Sequence, residues 1–148
     1  MNYFEVKVKY EKVQEDGKEK KVTESYLVDA LSFTECEKRI IEEMKLFISG
    51  EFEVYSIART KYEDIVEKET DSNISWYKTK LVDSLFDDNG KEKLVAHYLL
   101  VEGTSIDNAK DNLDEYMKTS MADFKVVTIS ETHIMDIYKY QNNVQNGI

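Results

Sequence analysis

A shift of 73 residues lays the second half of this 148-residue chain on the first. The turn "EDGKEK" at Glu15–Lys20 meets "DNGKEK" at Asp88–Lys93, with Gly17 on Gly90. Around it Tyr3 and Phe4 fall on Trp76 and Tyr77, Lys7 on Lys80, Val22 on Val95, "YLVDA" on "LLVEG" and Ser32 on Ser105. After a one-residue adjustment, "FEVYSIARTKYEDI" lies on "FKVVTISETHIMDI". Turn, cap and apolar pattern agreeing over such a length indicate an internal duplication. The fold must then be one supersecondary unit used twice.

Within a unit the periods change in a readable order. Phe4, Val6, Val8 and Tyr10 alternate with Glu5, Lys7, Lys9 and Glu11, the period of two of a half-buried strand. Asp16-Gly17, and Asn89-Gly90 in the second copy, tolerate the positive φ of a tight hairpin turn, and Val22–Asp29 returns as a second strand. Ser32-Phe33-Thr34-Glu35 then has the pattern of a capping box. Phe33, Cys36, Ile40, Met44 and Phe47 follow at three- and four-residue steps, the apolar stripe of a helix. Ser105, Ile106, Ala109, Leu113, Tyr116 and Met117 repeat it. Third strands are expected over Phe52–Arg59 and Phe124–Glu131, and a right-handed crossover puts each beside its first strand. The fold class is therefore α+β: a duplicated β-β-α-β unit with six main strands and two helices in one compact domain. The boundaries are 1–66 for the first repeat, 67–75 for a polar linker, 76–140 for the second repeat and 141–148 for a tail.

The opening "NYFEVKVKYEKVQEDGKEKKVTESYLVDALSFTECEKRI", with "ARTKYEDI", "SWYKTKL" and "SETHIMDIY", resembles a family of bacterial and phage-borne domains of unknown function common in gut anaerobes. The resemblance covers nearly the whole chain. It implies a small α+β protein of a kind that phages and prophages carry, and it brings no catalytic or binding residue to these positions.

Charge excludes several functions. A net charge of −10 opposes binding nucleic acid by phosphate neutralisation, and it disfavours an anionic membrane surface. The acidity is even, with 15 acidic and 11 basic residues up to Val66 and 15 and 9 after it. One cysteine rules out an internal disulfide and suits a reducing cytoplasm, and no apolar stretch approaches a membrane span. The expected localisation is cytoplasmic.

Candidate chemistry is sparse. Cys36 lies on the helix stripe opposite Ala109 of the other copy, so it reads as a small buried hydrophobe. His97 matches Glu24 and His133 matches Lys61; unmatched in the other copy, they read as surface or capping residues rather than metal ligands with Glu131. No metal or cofactor is expected. Strands two and three look apolar on both sides, and Leu27, Tyr55, Ile57, Tyr98, Leu100, Val127 and Ile129 form a face that two helices cannot cover. A second sheet or a second copy is expected there, and a homo-oligomer is the partner this reading favours. The same face carries Tyr3, Lys7, Trp76, Lys78 and Lys80, with Arg59 at a strand end. Aromatic planes beside cations suit an anionic flat ligand such as a nucleotide, although packing and edge solubility explain the same residues.

The function read from these features is non-enzymatic binding. Together with what the resemblance implies, it becomes sequestration of a host small molecule, such as a nucleotide signal, or of a host protein. The alternatives are a small nucleotide-acting enzyme with Glu131, His133 and Asp136 as its acid–base cluster, and a structural or scaffold protein of a phage.

Overall fold

The computed structural model describes residues 2–68, 73–120 and 123–139. The chain runs β1 (Tyr3–Val13), β2 (Glu19–Asp29), α1 (Phe33–Phe47), β3 (Phe52–Arg59), β4 (Tyr62–Val66), β5 (Ser75–Phe86), β6 (Glu92–Gly103), α2 (Ile106–Met117), β7 (Phe124–Glu131) and β8 (Ile134–Tyr138). Each repeat opens with an antiparallel hairpin, β1 on β2 and β5 on β6. Gly17 and Gly90 close the two turns at φ +81° and +77°, values that a residue without Cβ adopts at little cost. Ser32 and Ser105 cap the helices, accepting from the amides of Glu35 at 3.1 Å and Asn108 at 3.0 Å. The crossovers return β3 antiparallel to β1 and β7 antiparallel to β5.

Eight strands in two four-stranded sheets replace the six expected, with orders β3-β1-β2-β8 and β4-β6-β5-β7. The two unforeseen strands, β4 and β8, have five residues each. Both pair in parallel, and each ladder skips a residue: Glu63 between Tyr62 and Asp64, Met135 between Ile134 and Asp136. A bulge in so short a strand erases the alternation by which it would be recognised.

These strands also change the division of the chain. One compact unit is Met1–Thr60 with the segment from Ile134, and the other is Lys61–His133. Strand β4 thus belongs to the second unit and β8 to the first, and the units divide after Thr60 and after His133. Residues 69–72 of the expected linker and the tail at 141–148 lie outside the described residues. Among the described residues no helix is long and apolar enough to cross a membrane.

In the first unit Cys36, Ile40 and Met44 of α1 close over Phe4, Val6, Val8, Tyr26 and Val28. In the second, Ala109 and Leu113 of α2 close over Tyr77, Leu81, Leu99, Val101 and Val66. Each fully buried aliphatic or aromatic side chain stabilises by about 1.5–3 kcal/mol, so these clusters supply most of the driving force. Burial pushes the Cys36 thiol up to about 11, with Arg39 offsetting only part of the effect, so little reactive thiolate exists at neutral pH.

Bulges correct the expected facing of the third strands. Lys7 pairs with Ser56 and Val8 with Val54, leaving Tyr55 unpaired, and Val127 is skipped in the same way between Thr128 and Val126. Beyond each bulge the alternation reverses. Ile57 and Ile129, expected on the uncovered face, instead pack with Phe52 and Val54, and with Phe124 and Val126, on the helix-side clusters. Tyr55 and Val127 are 55% and 47% exposed. Leu27 and Leu100 do lie on the faces turned away from the helices, and both are completely buried within the single chain.

One packing detail separates the units. A Cβ at Gly103 would come within 2.8 Å of the Ala109 amide nitrogen and 2.9 Å of its Cα. The equivalent position in the first repeat is Ala30, buried and tolerated, so α2 sits closer to its sheet than α1 does. Gly103→Ala should therefore lower stability by about 1–3 kcal/mol through overpacking, measurable as a lower urea midpoint with unchanged slope. An unchanged midpoint would show that α2 can move away at no cost.

Candidate functional site

The two units are built alike but filled differently. In the first, Tyr10 and Tyr26 donate their hydroxyls to Glu24 Oε1 at 2.6 and 3.2 Å, and Lys12 Nζ lies 3.9 Å from Glu24 Oε2. Tyr138 of β8 sets its ring 5.8 Å from that of Tyr26. Tyr26 belongs to the helix-side cluster of this unit, and Tyr10 and Tyr138 pack against it. The repeat offsets put Asp83, Leu99 and Val66 where Tyr10, Tyr26 and Tyr138 stand, and His97 where Glu24 stands. The helix differs as well: α2 has 12 residues against 15 in α1.

The second unit has a cavity of about 480 Å³, which Leu99 and His97 line and Asp83 and Val66 do not. Its lining is apolar at Leu81, Leu99, Met117 and Phe124, and polar at Glu63, Asp64, His97, Tyr116, Thr119 and Ser120. That volume lies within the range of small-molecule sites, roughly 300–1,000 Å³.

Strand β4 supplies both carboxylates, and its bulge is the reason. Regular alternation would send the adjacent residues Glu63 and Asp64 to opposite faces, but the skipped position lets both line the cavity. His97 Nδ1 stands 2.8 and 2.9 Å from the two Glu63 oxygens, so the proton sits on that nitrogen, because an ionised carboxylate only accepts. The Phe124 and His97 rings form a T-shaped pair at a centroid distance of 5.4 Å. Asp64 accepts the Ile65 amide on Oδ1 at 2.8 Å and the Tyr116 hydroxyl on Oδ2. This bond to Asp64, reinforced by burial, pushes the Tyr116 phenol up to about 12. A Lys68–Glu115 ion pair of 2.8 Å joins the chain beyond β4 to α2 and holds the Glu115 carboxyl below its usual range. The result is a cavity with an apolar floor and a rim of acceptors positioned by neighbours.

Raised phenols occur in both units. Burial, then the bond to Glu24, pushes Tyr10 up to about 12; burial, then Asp136, does the same for Tyr138; burial raises Tyr26 further. A group whose folded pKa exceeds its unfolded value of about 10 contributes stability that is complete below pH 10 and is lost as pH rises through about 12. Stability should therefore fall steeply over that window. The ultraviolet tyrosinate signal of these residues should appear with unfolding, and early titration of all ten tyrosines in a folded chain would contradict the packing described.

The residues anticipated from the sequence are arranged otherwise. Tyr3 and Trp76 are buried, and their carbonyls accept the amide and hydroxyl of Thr60 and of Thr132 at 2.7–3.0 Å. Lys7 is exposed on the Tyr3 face of β1, while Lys78 and Lys80 share the Trp76 face of β5. Lys78 Nζ lies 5.4 Å from the Tyr98 ring. Arg59 follows the Tyr55 bulge to the helix side, 5.2 and 5.1 Å from the Phe4 and Phe33 rings, so it does not share the Tyr3–Lys7 face. Glu131 accepts from Ser75 at 2.9 Å in the second unit, whereas Asp136 belongs to the first. Among the described residues no group of three or more His, Cys, Asp or Glu side chains could hold a metal ion. Glu63, Asp64, Leu99, Tyr116 and Phe124 were not anticipated. The signal that could have found Leu99 was its alignment with Tyr26 of the other repeat.

The family model described as "Domain of unknown function (DUF4494)" matches residues 2–140, and the chain belongs to that family. No curated protein matches it.

Proposed function

We propose that this member of a family without assigned activity is a non-enzymatic binding protein that sequesters a small molecule in the cavity beneath the end of α2. One observation carries the reading: a site-sized, partly apolar cavity in the second unit is lined by Leu99 and His97, where the first unit has Tyr26 and Glu24 bonded to each other. The first unit also holds a hollow, of about 530 Å³, but Lys9, Glu11, Glu19, Lys21, Glu51 and Glu53 make its lining mainly charged, so the two units differ in the chemistry they offer a ligand. The supporting frame is a duplicated β-β-α-β-β unit, since strand order, hairpin turns, serine caps and bulge positions agree between the repeats.

A thermal-shift screen of neutral aromatics, amines and nucleotides tests the proposal, because a ligand at 100 times its Kd stabilises by about 2.7 kcal/mol. Ligands that stabilise the native chain should fail to stabilise Leu99→Tyr. Stabilisation that survives the substitution would place binding elsewhere. The second reading, a small enzyme, draws on the Glu63–His97 pair, a carboxylate orienting an imidazole as in acid–base sites. Turnover of a stabilising ligand over time, abolished in His97→Ala, would favour it over sequestration.

A further inference from the structure

We infer that the cavity selects a compact apolar molecule carrying a protonated amine, and that it rejects anions such as nucleotides; the inference rests on the binding role proposed above. The lining contains two carboxylates, Glu63 and Asp64, and neither Lys nor Arg. Tyr116 stays neutral at physiological pH because its phenol is pushed up to about 12. His97 contributes either no charge or one positive charge. The lining therefore carries a net charge of −2 or −1, negative in both protonation states of the imidazole. A phosphate or carboxylate entering it would exchange water for like charge, which costs more in a partly desolvated space than at the surface.

The remaining acceptor capacity points the same way. Asp64 spends one lone pair of each oxygen, on the Ile65 amide and the Tyr116 hydroxyl, and a carboxylate offers about four such sites. An ammonium group brings three donors and no acceptor, which matches a rim of acceptors. Phe124 and Tyr116 add aromatic side chains to the lining. Leu81, Leu99 and Met117 form the apolar floor, so the body of the ligand should be apolar. A cavity of about 480 Å³ falls within the range of small-molecule sites, which suits a compact aromatic with a short side chain. A chain of net charge −10 also attracts a cation toward the site at low ionic strength.

The test is calorimetric titration of the full chain with three probes of one shape: indole, tryptamine and indole-3-acetate. Tryptamine should bind about tenfold tighter than indole, a difference of about 1.4 kcal/mol, and indole-3-acetate more weakly than either. Raising the salt concentration should narrow the tryptamine advantage, and Asp64→Asn combined with Glu63→Gln should bring the tryptamine-to-indole ratio near one. If indole binds but tryptamine binds no tighter, or indole-3-acetate binds tightest, the charge selection is wrong and the cavity still stands as a site. If the advantage persists in the double variant, the charge that selects lies elsewhere and the inference fails. If none of the three binds, the inference and the binding role fall together. Binding that is unaffected by Leu99→Tyr refutes the cavity as the site, whatever the probe order.

Discussion

Leu100→Asp should unfold the chain or come close to it, with a loss of at least about 4 kcal/mol. Removing a fully buried leucine costs about 2–5 kcal/mol, and desolvating the carboxylate that replaces it adds to this. The total is a large part of the 5–15 kcal/mol typical of a whole domain. Leu27→Asp, at the equivalent fully buried position of the first unit, should behave alike. The contrast is with Tyr55→Asp and Val127→Asp, on the exposed bulges of β3 and β7, where the change should stay below about 1 kcal/mol. Denaturant titration of the four variants separates the classes. A soluble, fully folded Leu100→Asp that differs only in oligomeric state would show that this side chain is an interface residue between copies.

Leu99→Tyr should abolish ligand binding while leaving the fold intact. The first repeat demonstrates that the local backbone accepts the larger residue, since Tyr26 occupies this position there at 9% exposure and joins the helix-side cluster. In the second unit the new phenol would enter the cavity and meet His97, which stands where Glu24 receives the Tyr26 hydroxyl. Affinity should fall by at least about 100-fold, or about 2.8 kcal/mol, with stability changed by no more than about 1.5 kcal/mol. Retained affinity in a folded variant would mean that the ligand lies elsewhere.

Much of the architecture is written in periodicity. The hairpins, both serine caps, both helix stripes and the placement of the third strands beside the first follow from alternation, turn residues and crossover handedness. What escaped was written in irregularity. Tyr55 and Val127 reverse the facing of Ile57, Arg59 and Ile129, because one extra residue shifts a period of two by half a cycle. Glu63 and Met135 break β4 and β8 into pieces too short to show any period. The same irregularity hid the cavity, since two adjacent carboxylates converge only where a bulge cancels their alternation. Two of the cations expected at a ligand site have aromatic neighbours within the chain: Lys78 lies 5.4 Å from the Tyr98 ring centroid, and Arg59 lies 5.2 and 5.1 Å from those of Phe4 and Phe33. The cavity itself was legible only in part in a comparison of side-chain volumes. Of the three phenols replaced at aligned positions, only the change from Tyr26 to Leu99 falls on the lining, beside the change from Glu24 to His97.

The most direct test of a ligand site confined to the second unit is an amide and side-chain NMR titration of the full chain with indole, a neutral probe whose binding does not depend on charge selection. Shifts confined to His97, Leu99, Tyr116 and Phe124 and their neighbours, with Tyr10, Glu24, Tyr26 and Tyr138 unmoved at saturation, are the predicted result. Saturable shifts at the four first-unit positions, or no saturable shift at the second-unit four, would contradict it.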